Sequence, residues 1–119
     1  MTSRRRLELG AATAELAVAL PSLVIVLALS LGALDLGLDR VRCVDAARLG
    51  ARLLARGEPQ GAALGEVRRA APEGARVSVS RYGGSVTVSV VGEVPTPLRP
   101  LGRLGEPQAS ARAVIEGVP

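Results

Sequence analysis

The sequence predicts an α+β chain in which one long N-terminal helix packs on a small antiparallel β-sheet of about three strands. Three observations carry this. Leu16 to Leu34 is a run of 19 residues without a charge. No proline follows from Asp35 to Arg56. From Ala75 onward the apolar period changes from helical to two. With 119 residues, and the first third taken by the apolar run and its flanks, one modest core is expected.

The apolar run forms a helix about 28 Å long at 1.5 Å per residue, close to the roughly 30 Å hydrocarbon core of a bilayer. Residues 11–34 are therefore expected to span a membrane. Arg4, Arg5 and Arg6 precede the run, whereas Asp35 and Asp39 come before any cation on its far side. That asymmetry predicts a single-pass protein with a cytoplasmic N-terminus and an extracytoplasmic domain over residues 35–119. Arg40 and Arg42 reduce the contrast.

The helix is expected to leave the bilayer and continue to Arg56, giving a rod from about Ala11 to Arg56. On a 3.6-residue wheel Leu36, Cys43, Ala47, Gly50, Ala51 and Leu54 share one face. The other face carries Asp35, Asp39, Arg42, Asp45, Arg48, Arg52 and Arg56. Small residues on the apolar side let a sheet approach the helix backbone, and Gly57 supplies a stop.

Pro59 sits at a tolerated N-terminal position, and Ala63, Leu64, Val67 and Ala71 make a short second helix over 59–71, ended by Pro72. Val77 and Val79 alternate with Ser78 and Ser80, and Val86, Val88 and Val90 with Thr87 and Ser89. Tyr82-Gly83-Gly84 is a turn signal between them, so residues 75–81 and 85–92 predict a hairpin with one apolar face. Pro95, Pro97 and Pro100 make 94–107 an irregular connection, because proline cannot donate to a sheet ladder. Alternating Ala109, Ala111, Ala113 and Ile115 predict a third strand over 108–116.

Composition excludes several function classes. All 15 cations are arginine, against 11 acids, for a net charge of +4. Beyond residue 10 the balance is 12 arginines to 10 acids, so much of the basicity is a label at the N-terminus. Nucleic-acid binding needs clustered cations and stacking rings, and Tyr82 is the sole aromatic residue. There is no histidine and one cysteine, Cys43, which excludes the usual zinc sets and any disulfide within the chain. Asp35 and Asp39 lie one turn apart but lack a nucleophile or histidine beside them, so they are surface charges rather than an acid–base pair. No cofactor, small-molecule substrate or enzymatic activity is expected.

Cys43 falls on the apolar helix face and is expected under the sheet, with an intermolecular disulfide as the alternative use in an exterior domain. Arg48, Arg52 and Arg56 form a solvated stripe, with Asp45 placed to pair with Arg48. Pro21 removes one helical hydrogen bond and is either tolerated or a kink in the membrane segment.

Glu15 stands at the edge of the apolar run, five residues after Gly10. Its placement marks either a headgroup-level helix start or a functional carboxylate. Gly10-Ala11-Ala12-Thr13-Ala14-Glu15, followed by Leu16-Ala17-Val18-Ala19-Leu20-Pro21, resembles the N-terminus of TadE-like proteins, the minor pilins or pseudopilins of tight-adherence, Flp-type type IV pili. The pattern covers about residues 4–56, and the β region resembles the family as an architecture only. The resemblance implies a leader, residues 1–10, cut after Gly10 by a membrane-bound prepilin peptidase. It also implies Ala11 as the mature N-terminus and Glu15 as the carboxylate that serves assembly with other pilin or pseudopilin subunits. Those sequences commonly place Phe or Tyr after the glutamate, where this chain has Leu16. Two other readings remain open. One is an exported soluble binding protein with a signal peptide cut near Ala28-Leu29-Ser30, for which Ser3-Arg4-Arg5-Arg6-Leu7 resembles a twin-arginine head. The other is an anchored accessory protein that is never processed.

Overall fold

The computed structural model describes residues 2–117, which leaves Met1 of the basic head and the last two residues of the expected domain outside it. Its elements are α1 (Thr2–Ala55), α2 (Gln60–Ala70), β1 (Arg76–Tyr82), β2 (Ser85–Val91), a 3₁₀ segment (Thr96–Gly105) and β3 (Gln108–Val114). The fold is α+β: α1 is a rod, and α2 with a three-stranded antiparallel sheet of order β1-β2-β3 packs on its C-terminal half. The whole molecule extends 91 Å along the rod and 22 by 15 Å across it.

Two of the expected boundaries change. α1 begins at Thr2 rather than near Ala11, because Arg, Leu and Glu on either side of Gly10 are good helix formers and one exposed glycine costs only about 1 kcal/mol. The connection over 94–107 is not irregular throughout. Pro95 caps it and Pro97 lies in its first turn, where a fixed φ suits a 3₁₀ helix, and the chain kinks at Gly102 with φ of 56°. Pro21 leaves α1 unbroken.

Gly57 ends α1 in a left-handed conformation, φ 87°. Its N–H donates to the Leu54 carbonyl and that of Glu58 to Leu53, both at 3.1 Å, the two bonds of a Schellman cap. The hairpin turn uses Gly83 and Gly84, both with positive φ, as a two-residue connection between Tyr82 and Ser85 requires.

The core lies where α1 meets α2 and the sheet. Cys43, Ala46, Ala47, Ala51, Leu54 and Ala55 of α1 are buried against Ala63 and Val67 of α2 and Val86, Val88 and Val90 of β2. Ala46 and Ala55 widen the apolar face beyond the wheel reading, while Leu36 is only half-buried. Each of the three central valines is fully covered and contributes about 1.5–3 kcal/mol by transfer. The edge strands supply Val77, Val79, Ala109, Ala111 and Ala113 to the same face, in register with those valines. A Cβ on Gly50 would lie 2.6 Å from Val67 Cγ2 and 3.2 Å from Val88 Cγ1, so a bare backbone at this position sets how closely α2 and β2 approach the rod.

The sheet lies along the rod. Glu116 N–H donates to the Ala55 carbonyl at 2.9 Å, and Ile115 N–H to Gly84 at 2.8 Å, which places the hairpin turn at the far end of α1. At the other end of β2 and β3, Gly92 N–H donates to Pro107 at 2.8 Å beside Cys43. Beyond that the chain reaches Gly32, which is buried under Pro97 and Leu98.

Candidate membrane and processing segment

α1 is long and apolar enough to cross a membrane, and only 6% of its most apolar window is buried by the rest of the chain. A helix in the core of a soluble domain would be mostly covered. Leu16, Leu20, Leu23, Ile25, Leu27 and Leu34 are each more than half exposed. The eleven Leu, Val and Ile side chains between Leu16 and Leu34 each favour insertion by about 0.3–0.6 kcal/mol on a translocon scale. Several kcal/mol in total outweigh the edge cost of one carboxylate, which even at the bilayer centre is about 2.5–3.5 kcal/mol.

The hydroxyls of this stretch are satisfied within the helix. Thr13, Ser22 and Ser30 donate to the carbonyls of Leu9, Val18 and Val26 at 2.9, 2.8 and 2.7 Å. A lipid environment offers no water, so such back-bonds to residue i−4 are what a polar side chain needs there.

Gly10, Ala11 and Glu15 all lie on exposed helix. Ala11 and Glu15 are one turn apart and share a face, since residues four apart are neighbours on a helix. Among the described residues Glu15 makes no salt bridge; the ion pairs are Asp39–Arg42 at 3.7 Å and Glu66–Arg69 at 2.8 Å. The Gly10–Ala11 peptide is helical, and Gly10, with open space around it, lowers the cost of unwinding the helix at this point.

Residues nearer the domain take structural places. Cys43 is fully buried and its thiol donates to the Pro107 carbonyl at 3.8 Å. Burial raises its pKa above the usual thiol range; the Gly92 backbone N–H opposes the rise and the Asp39 carboxylate adds to it. A covered, protonated thiol is out of reach of a second chain. Cys43 is accordingly expected to resist alkylation in the folded protein and to react only when urea unfolds it, measured by intact mass after timed iodoacetamide exposure.

Asp35 and Asp39 border an open crevice with Arg42, Glu73, Glu93 and Arg99. Its charges are of mixed sign, and no trio of His, Cys, Asp or Glu among the described residues is placed to hold a metal ion. Arg48, Arg52 and Arg56 are exposed as expected, but Asp45 is not paired with Arg48. Sequence reasoning missed Gly32 and the apolar 3₁₀ segment against it. Their pairing depends on a contact across more than sixty positions, of which the prolines gave only the outline.

No protein-family model matches the chain, and no solved structure matches it. A Mycobacterium tuberculosis protein named "Apoptosis inhibitor Rv3655c" is 43% identical over 76 residues. The match covers 64% of this chain and 60% of that protein, so the chain spans less than two thirds of the relative's length.

Proposed function

We propose that the chain is a TadE-like minor pilin or pseudopilin, a membrane-anchored structural subunit for assembly of a type IV (Flp/Tad) pilus or related secretion apparatus. The observation that carries this is the rod itself. A glycine and a glutamate five residues apart precede the apolar run of a helix whose first half has no partner among the described residues and whose second half holds a small α+β domain.

Such a subunit breaks no bond. It is the substrate of a prepilin peptidase, and its work is packing. Leu27, Leu31, Leu34, Leu38 and Val41 recur at alternating spacings of four and three, and all are exposed, from 52% to 61%. This stripe lies on the side of α1 opposite the sheet and runs beyond the membrane segment. An apolar seam at that spacing suits another helix. Once the head is removed, the amine of Ala11 supplies the cation that Glu15 lacks, and pairing between neighbouring copies or with a major pilin draws the helices into register.

Glu15→Ala is expected to leave membrane insertion intact and to reduce incorporation into the pilus, measured by fractionating membranes and sheared filaments. Incorporation at the wild-type level would remove the assembly role. The apoptosis inhibition named for the mycobacterial protein is said of that protein alone.

The exported-protein reading draws support from one feature: the buried residues of α1 begin at Gly32, so a cut after Ser30 would remove none of them. The mass of the protein from its native membrane separates the readings. A start at Ala11 supports the pilin subunit, a start at Leu31 the signal peptide, and an intact head the permanent anchor.

A further inference from the structure

The 3₁₀ segment Thr96–Gly105 is seated on the outer end of the membrane helix. A Cβ on Gly32 would lie 3.0 Å from Pro97 Cβ and 3.1 Å from Leu98 Cγ, and Gly32 is the third-last residue of the uncharged run. Where α1 spans a bilayer, that contact fixes the segment at the level where hydrocarbon gives way to headgroups.

The composition of the segment suits that level. Leu98 is buried and anchors it to the rod. Leu101 and Leu104 are 53% and 86% exposed, and with Tyr82 and Val114 they are, among the described residues, the large apolar side chains left open outside α1. Arg99 and Arg103 are exposed beside them; Thr96–Gly105 itself contains no acid, although Glu106 follows it and Arg99 borders the crevice that Asp35, Asp39, Glu73 and Glu93 also line. Two leucines alternating with two arginines match an interface in which apolar tips enter the acyl boundary while guanidinium groups remain with phosphates. The chain kinks at Gly102, between Leu101 and Leu104.

We infer that this segment is a second membrane contact, which lays Leu101 and Leu104 into the outer leaflet beside α1 and sets Arg99 and Arg103 against anionic lipid phosphates. The inference rests on the membrane-spanning reading of α1. With it the domain touches the bilayer at two places, the rod and the segment, and its tilt relative to the membrane is fixed. Entry into a filament then requires this contact to be released.

The chain contains no tryptophan, so single substitutions give clean fluorescence reporters. The full-length protein is reconstituted in vesicles of phosphatidylcholine and phosphatidylglycerol whose acyl chains carry bromine either near the carbonyl or near the terminal methyl. Leu104→Trp is expected to emit to the blue of an exposed tryptophan and to be quenched more by shallow than by deep bromine. Arg99→Glu with Arg103→Glu in that background is expected to abolish the quenching. Leu27→Trp, in the middle of the span, tests the rod. Tyr82→Trp, at the hairpin turn roughly 35 Å along α1 from Gly32, is the unquenched reference.

Leu104→Trp unquenched beside a quenched Leu27→Trp overturns the second contact and leaves the anchor standing. Leu27→Trp unquenched overturns both. A blue shift of Leu104→Trp that disappears on dilution with lipid, without bromine quenching, assigns the segment to a neighbouring subunit and also overturns the inference.

Discussion

Gly50→Leu is expected to cost the outer domain about 3 kcal/mol or more, a large share of the 5–15 kcal/mol that typical domains hold in reserve. The first added carbon already meets Val67 Cγ2 at 2.6 Å and both Val88 methyls at 3.2 and 3.3 Å. Valine is stiff at χ1, and Val67 and Val88 are fully buried, so neither side chain turns aside easily. Gly50→Ala is expected to be milder, because better helix propensity returns about 1 kcal/mol. Val67→Ala is expected to recover part of the loss when combined with Gly50→Ala, although alone it opens a cavity. The measurement is urea unfolding followed by circular dichroism on the full chain in detergent. Equal midpoints for wild type and Gly50→Leu would show that the rod and sheet do not approach as closely as described.

Gly10→Leu is expected to abolish N-terminal processing. The leucine puts a branched side chain beside the proposed scissile bond and stiffens the helix there, by about 1 kcal/mol relative to glycine. The mature species should disappear in favour of a protein that keeps residues 1–10, and export to filaments should fall with it. Intact mass and N-terminal sequencing of membrane protein check this. A mutant product that still starts at Ala11 would exclude Gly10 as the recognised residue. Because Gly10 is exposed and touches nothing, the substitution leaves the outer domain's stability unchanged.

Much of the architecture was legible because it rests on local chemistry. Alternating valines with serines, the Gly83-Gly84 turn and the Gly57 stop each specify one backbone geometry, and all three occur where expected. What was not legible depends on distant partners or on the absence of a strong breaker. Gly10 suggested a boundary, yet its neighbours carry the helix through it. The prolines of 94–107 correctly excluded a strand, but only Gly32, far away in sequence, shows why the segment folds as it does. At Asp45 and Arg48 the spacing permitted a pair that solvated side chains do not make, while Asp39 and Arg42 at the same spacing do. For the candidate site, Gly10, Ala11 and Glu15 were visible as types and spacings. Their exposure, and the face that Ala11 and Glu15 share, emerge from the fold.

The attachment of the sheet along α1 has a mechanical consequence. From the Pro97–Gly32 contact to the Glu116–Ala55 hydrogen bond, the domain is fastened to the rod over a length of roughly 35 Å. Tension applied along the axis loads the interlocked valines and alanines in shear, many at once, instead of peeling them apart one by one. A joint resists a pull best when it lies along the direction of that pull.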